Sequence, residues 1–586
     1  MSYQPHLADT GFLLFDVLQV PTQLQALSGL TEADQPLMEQ VLDEAGKFVA
    51  EVVAPLSREG DEVGCRWEAG TVATPPGFRE AYQAFVQAGW PALACAEEDG
   101  GQGLPWVLEG VLYEWLSAAN HGWTMAPGLL HGAYECLKHH GSDALKASYL
   151  AKIASGEWLA TMCLTEPQAG SDLGLVRSQA VPQDGSLEHR VSGTKIFISG
   201  GEHDLTDNIL HLVLARLPGA PPGPKGLSLF LVPKILPGGA RNAVACERIE
   251  EKMGLHGSPT CVMRFDEATG WLIGTPGAGL SAMFVMMNAA RLHVALQGMG
   301  LLDAAWQKAD TYARERRQMR APGARPASRG ATDTADLLAE HPAMRRILDV
   351  QRAWIDGGRL LAYRTGLLLD VARHHPDADQ RAEAQRWCSL VTPVLKAAWT
   401  QQAFQGASEC LQVFGGHGYV REWGIEQIVR DARVSMIYEG TNEIQAIDLL
   451  VRKVLPDGGQ ALGALLVGLR GTLDASRDFD AEVLRRLAEL RYLTTTLATA
   501  AGADNADPAL PYAVADDYLR AVALVLLAWA WSQILAQAPA DDTRWSAPAQ
   551  AFRTRVLPEL DMRLAIVRQR MTQPEEAGAA QAFSCQ

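Results

Sequence analysis

The hydrophobic period of this 586-residue chain changes twice, and those changes limit the folds open to it. From about Thr31 to Ser155 apolar residues recur at three- and four-residue spacing. Leu37, Val41, Ala45 and Val49 fall on one predicted helix face, and Phe78, Tyr82, Phe85 and Trp90 on another. Breakers at Thr74-Pro75-Pro76-Gly77 and Glu98-Asp99-Gly100-Gly101-Gln102-Gly103 separate the helices. The pattern then turns β-rich. Residues 191–199, 209–215, 227–232 and 261–265 are β-branched or apolar runs bounded by Gly and Pro, as expected of short strands. Helical spacing resumes at Leu280 and continues to about Val454.

A chain this long exceeds a single core, so several domains are expected. The fold class predicted is mainly α with a central β domain. Residues 1–30, with Phe12, Leu13, Leu14, Phe15, Val17 and Leu18, read as an N-terminal extension packed on the body. An N-terminal helical domain follows over 31–160, a small middle β domain over 161–275, and a helical bundle over 276–455. An additional C-terminal helical domain is expected over 461–580, after the joint Pro456-Asp457-Gly458-Gly459. The stretch Met319 to Gly330, rich in Pro, Gly and Arg, reads as an exposed loop inside the bundle. In the last domain Val483, Leu487 and Leu490 make one helix stripe, and Ala521 to Trp531 is the longest apolar run. Taken alone, that run is too short to span a bilayer and fits a buried helix.

Charge narrows the partners. The net charge of −17 disfavours nucleic acid, so an anionic ligand would be held locally by a few Arg or Lys residues and backbone N–H groups. Nine cysteines without a CxxC pair read as reduced thiols. The N-terminal residues carry no basic segment followed by an apolar stretch. Both point to a cytoplasmic protein without membrane insertion. His256 and His417 stand singly without ligand spacing, so no metal is expected.

Residues 436–445 carry the most chemistry. Glu439 is a carboxylate between an apolar run (Val434, Met436, Ile437, Tyr438) and Gly440. A carboxylate acts as a base near neutral pH when apolar surroundings disfavour its charged form, and a glycine beside it lets a substrate approach. The plain alternative is a surface Glu ahead of a helix, with Gly440 as turn, Thr441 as N-cap and Glu443 as a first-turn acid.

Six separated motifs stand in an order that resembles the flavin-dependent acyl-CoA dehydrogenases. They are Glu97 to Leu104; Leu164-Thr165-Glu166-Pro167-Gln168-Ala169-Gly170-Ser171-Asp172; Gly193 to Gly201; Lys252 to Thr260; Gln412 to Gly418; and Tyr438-Glu439-Gly440-Thr441. With its N-terminal segment and C-terminal helical domain, the chain is similar to the larger subgroup that includes bacterial long enzymes and the 3-methylmercaptopropionyl-CoA dehydrogenases.

The resemblance implies a barrel-like middle domain, FAD as cofactor and an acyl-CoA thioester as substrate. It places the base at Glu439, removing the Cα proton while hydride passes from Cβ to flavin N5 and a trans-2-enoyl-CoA forms. A base on the first bundle helix would fall at Ala290, which cannot take a proton. The Asp-based nitroalkane oxidases are disfavoured because Glu stands at 439.

The flavin contacts it implies are Met162, Leu164, Thr165, Gly170, Ser171, Phe197, Ser199, Thr441 and Glu443. Arg316, Gln412, Gly415 and Gly416 would reach the FAD of a neighbouring subunit in a homodimer. Substrate contacts would be Ser171, Asn288, Arg291 and Gly440. Ser199 keeps a hydroxyl and Phe197 an aromatic face where relatives carry Thr and Trp, whereas Glu443 replaces a frequent Gln and Met319 a usual aromatic. Electrons would leave through an electron-transfer flavoprotein. Alternatives are an acyl-CoA oxidase using oxygen, and a DNA-associated relative, which the mixed charges of the C-terminal part disfavour.

Overall fold

The computed structural model describes residues 2–323, 329–330, 332–540 and 542–572. Residues 324–328 of the expected exposed loop and 573–580 of the expected C-terminal domain lie outside these. The chain divides into two compact units that do not follow sequence order. One comprises the residues up to Ala8, 21–304 and 416–435; the other comprises 9–20, 305–415 and 436 onward.

In the first unit the helix Gln35–Phe48 starts where the Asp34 carboxylate accepts the Leu37 N–H at 2.9 Å. Its buried stripe is Met38, Leu42, Ala45 and Val49. Leu37 is exposed and Val41 only half-buried, so the first half of the expected stripe is displaced by one position. Leu37 sits in the first turn and keeps about a third of its surface exposed (36%). The helix Phe78–Gln87 buries Phe78, Tyr82 and Phe85 as expected. The helix Trp106–Thr124 is buried along its whole length. It breaks at Asn120 (φ −157°, ψ 88°), whose Oδ1 accepts the Trp123 N–H.

The β region begins with the small antiparallel hairpin β1 (Arg66–Glu68) and β2 (Thr71–Ala73). The main sheet holds β3 (Leu159–Cys163), β4 (Gln179–Pro182), β5 (Glu188–Ser199), β6 (Ile209–Arg216), β7 (Leu227–Pro233), β8 (Val244–Ile249) and β9 (Thr260–Ile273). β6 pairs β7, β7 pairs β9, β9 pairs β5, β5 pairs β4, and β4 returns to β6 through the single pair Gln179–Arg216. That ring closes a five-stranded barrel. β3 adds to it parallel to β6, and β8 adds antiparallel to β9. Closure removes free sheet edges, and its core is filled by residues such as Val191, Val213, Phe230, Met263 and Phe265. Four of the strands coincide with the β-rich runs of the sequence. β3, β4 and β8 were not separated there: they are short, and β3 is buried at every position, so it lacks alternation.

The second unit is helical. The helices Pro342–His374 and Ala378–Val413 pack on each other, and Asp377 caps the second by accepting the Asp379 N–H at 2.7 Å. The helix Leu510–Gln537 packs against Pro342–His374, Asp478–Ala501 and Glu559–Thr572. Val483, Leu487 and Leu490 are buried. The apolar run Ala521 to Trp531 belongs to this 28-residue helix, which is long and apolar enough to cross a membrane, as is Gly279–Glu315. The apolar windows of both are mostly buried within the protein, as in core helices. Residues 9–20 pack in this unit: Phe12 lies 4.6 Å from the Trp545 ring, and Arg544 bridges Asp9 and Asp356.

Candidate active site

In the first unit, β3 ends at Cys163 and the chain turns at Glu166 to Ala169, closed by reciprocal backbone hydrogen bonds of 3.1 and 2.9 Å. Glu166 is buried. Its carboxylate accepts from the backbone N–H groups of Arg177 (2.8 Å) and Ser178 (3.0 Å), from Ser178 Oγ (2.6 Å), and from Lys195 Nζ (2.8 Å). Lys195, fully buried, also donates to the Leu164 carbonyl at 3.1 Å, and the Ile196 N–H reaches the Thr165 carbonyl at 2.9 Å. Burial pushes the Glu166 carboxyl up, but the Lys195 charge and these hydrogen bonds outweigh it and hold the pKa at about 2. For Lys195 burial dominates and pulls the ammonium down, against the pull of Glu166.

This buried pair ties the loop to β5. Beyond it Gly170 and Ser171 are exposed, and a Cβ at Gly170 would meet no atom within 4 Å. The register of β5 against β9 shifts between Lys195 and Ile198. Within that bulge Phe197 adopts φ +60° and is 61% exposed. A bulky residue with left-handed φ is strained, and bulges re-aim side chains. The outcome here is an aromatic face turned outward beside the half-buried Ser199. An open backbone cradle, the exposed Ser171 with the half-buried Ser199, and an outward aromatic face fit a flat aromatic cofactor such as a flavin.

Other expected residues of this unit are placed as follows. Met162 is buried on β3, and Leu164 and Thr165 are half-buried. Arg291 is buried on the helix Gly279–Glu315, its guanidinium 5.9 Å from the Phe284 ring and its Nη1 donating to Asn288 Oδ1 at 3.3 Å. Asn288 itself is exposed. Gly416 is exposed. His256 contacts Asp61 at 2.9 Å, and His417 stacks on Trp423.

In the second unit Glu439 and Gly440 form a turn with consecutive positive φ of +55° and +83°. Glu439 is half-buried, so the burial expected of it is only partial. Behind the turn lies a buried polar cluster. Lys396 Nζ donates to the Gly440 carbonyl at 2.8 Å and to Asn442 Oδ1 at 3.0 Å, and Thr400 Oγ1 donates to the same Oδ1 at 3.1 Å. Asn442 Nδ2 donates to the Ala397 carbonyl, and Gln445 Nε2 to the carbonyls of Glu439 (3.1 Å) and Gly440 (3.3 Å). Lys396, Thr400 and Gln445 have no exposed surface.

Downstream, Thr441 Oγ1 accepts the Ile444 N–H and caps the helix Asn442–Ile447, with Glu443 exposed in its first turn. The capping anticipated by the plain reading of this stretch is therefore present. Arg316, Gln412 and Gly415 are exposed.

The sequence reading missed both supporting clusters. Lys195 is the lone charge in the run Val191 to Ser199, on the parity of the buried Val191. Lys396 stands between Val394-Leu395 and Ala397-Ala398-Trp399. A lysine in an apolar run needs buried partners, and that was the available signal.

Residues 36–157, 161–268 and 277–454 match the family models described as acyl-CoA dehydrogenase N-terminal domain, middle domain and C-terminal domain. The chain is 42% identical to the 3-methylmercaptopropionyl-CoA dehydrogenase of Ruegeria pomeroyi, over 90% of each chain. It is 36% identical to the broad-specificity linear acyl-CoA dehydrogenase FadE5 of Mycobacterium tuberculosis, over 78% of this chain and 76% of that one. The solved structure of an acyl-CoA dehydrogenase complexed with FAD from Bacillus anthracis superposes with a TM-score of 0.74 at 18% identity. It covers 94% of this chain and 92% of that one, a likeness of fold.

Proposed function

This chain belongs to the acyl-CoA dehydrogenase family of FAD-dependent oxidoreductases, and on that premise we propose that Glu439 is the base that removes the Cα proton of an acyl-CoA thioester. The observation that carries the reading is the turn itself. A half-buried carboxylate sits on two consecutive positive-φ residues whose carbonyls are held by buried Lys396 and Gln445. Such strain persists only where the surroundings over-determine it, and it gathers at working sites. Gly440 leaves room beside the carboxylate for the thioester.

Met162, Leu164, Thr165, Gly170, Ser171, Phe197 and Ser199 are the residues that would hold FAD, together with Thr441 and Glu443 after the base. FAD supplies the acceptor for the hydride that leaves Cβ. Phe197 offers an aromatic face against which a flavin ring would pack, and the Lys195–Glu166 pair keeps the loop at a fixed distance from β5. Ser171, Asn288, Arg291 and Gly440 are the proposed substrate contacts. Arg316, Gln412, Gly415 and Gly416, all exposed, would reach the adenosine end of FAD in a second copy, which makes the working form a homodimer. Light scattering should give twice the 63.4 kDa chain mass, and a monomer holding FAD at full occupancy would contradict this.

Reoxidation by an electron-transfer flavoprotein, rather than by oxygen, completes the proposal. The test is a panel of acyl-CoA esters that includes butyryl-CoA and 3-methylmercaptopropionyl-CoA, scored by anaerobic bleaching of the bound flavin. Peroxide release is then compared with dye reduction. Bleaching by one or more esters with little peroxide supports the reading; no bleaching by any ester refutes it.

A further inference from the structure

We infer that Gln445 is a positioning residue for proton removal, and that Lys396, Asn442 and Thr400 complete the clamp that aims the Glu439 carboxylate. The inference rests on Glu439 being the base. Two successive positive φ values, one of them at a non-glycine residue, are strained relative to a relaxed turn. Something must hold that turn, and it is held at its carbonyls. The Gly440 oxygen accepts from both Lys396 Nζ and Gln445 Nε2, and the Glu439 oxygen accepts from Gln445 Nε2. Gly440 is packed against the same amide: a Cβ there would lie 2.7 Å from Gln445 Nε2.

The other edge of that amide shows what it is for. Gln445 Oε1 is buried and meets no donor among the described residues. A buried acceptor left unpaired is destabilising, and a methionine of similar length would avoid that penalty. Stability alone therefore does not account for a glutamine here. What it adds is a pair of donors aimed at the Glu439 and Gly440 carbonyls, which lie on either side of the Gly440 Cα just after the base. Lys396 is fixed in turn, because Asn442 Oδ1 takes one of its protons while Thr400 and the Ala397 carbonyl orient the Asn442 amide. The clamp acts on backbone orientation, so its loss moves the carboxylate without removing it.

The test uses FAD-loaded Gln445→Met, with Thr400→Val as a second variant should the first fail to fold. The anaerobic rate of flavin reduction is measured at saturating butyryl-CoA that is unlabelled, dideuterated at Cα or dideuterated at Cβ. For Gln445→Met, FAD content and butyryl-CoA affinity should stay within about twofold, while the reduction rate falls about tenfold or more. The Cα deuterium effect should rise and the Cβ effect should not, because proton removal has become the slower event. Thr400→Val should shift in the same direction by a few-fold.

Parent-like rates and isotope effects in either folded variant would overturn the clamp. The companion variant Glu439→Gln separates the two readings. If it is inactive while Gln445→Met behaves like the parent, only the positioning role fails. If it reduces flavin at the parent rate, the base assignment fails and the clamp with it.

Discussion

Lys195→Met should loosen the flavin loop and lower the temperature at which FAD is released. In the parent, Glu166 ionises with a pKa of about 2 against a usual 4.5. That difference corresponds to about 3 kcal/mol favouring the charged folded form. Removing Lys195 takes away the cation paired with this buried carboxylate, and unpairing a buried ion pair costs about 3–5 kcal/mol. For a unit of roughly three hundred residues, about 4 kcal/mol lowers the transition by about 6 °C.

The folded pKa is depressed, so the contribution is complete above the unfolded value of 4.5 and is lost as pH falls toward 2. At pH 3.5 about 1.4 kcal/mol of it is already gone, and the gap between parent and variant should narrow accordingly. The assay is flavin fluorescence during a thermal ramp at pH 7 and pH 3.5. A variant that releases FAD within 1 °C of the parent at pH 7 would refute the claim that this pair holds the loop.

Phe197→Gly should relieve the left-handed φ at residue 197, leaving the FAD-free protein as stable as the parent or slightly more so. Its FAD affinity, read by fluorescence titration, should weaken about tenfold through loss of the aromatic face. Ending the chain after Gly459 removes the helix Leu510–Gln537, in which Trp531 donates to the Ala353 carbonyl at 3.0 Å and Trp529 packs on Arg364. The truncated protein should aggregate and lose FAD, as size-exclusion chromatography with absorbance would show. A soluble, active truncation would overturn a structural role for that region.

Much of this was legible in the sequence, for a physical reason. Pattern follows burial, so the short β-rich run Val191 to Ser199 and the long helical stretches after Leu280 announced the order of elements. A barrel-like middle domain was expected from the family resemblance and not from the strands themselves, because closure depends on one pairing between β4 and β6 that leaves no mark on either strand. The Glu439-Gly440-Thr441 stretch could be read as chemistry because glycine and carboxylate are visible locally. Its support could not, because Lys396 and Thr400 come from a helix more than thirty residues earlier, and only folding brings their donors to the turn. The same holds for Glu166 and Lys195, which come from the loop after β3 and from β5. Phe197 was named for its ring, but the positive φ that turns the ring outward comes from a register shift set by the partner strand.

The central claim is that Glu439 is the base, and Glu439→Gln tests it most directly because the change keeps shape and removes basicity. The variant should purify yellow, bind acyl-CoA with near-parental affinity, and reduce its flavin at least about a hundredfold more slowly than the parent when mixed anaerobically with butyryl-CoA. Flavin bleaching at the parental rate in Glu439→Gln would contradict the account.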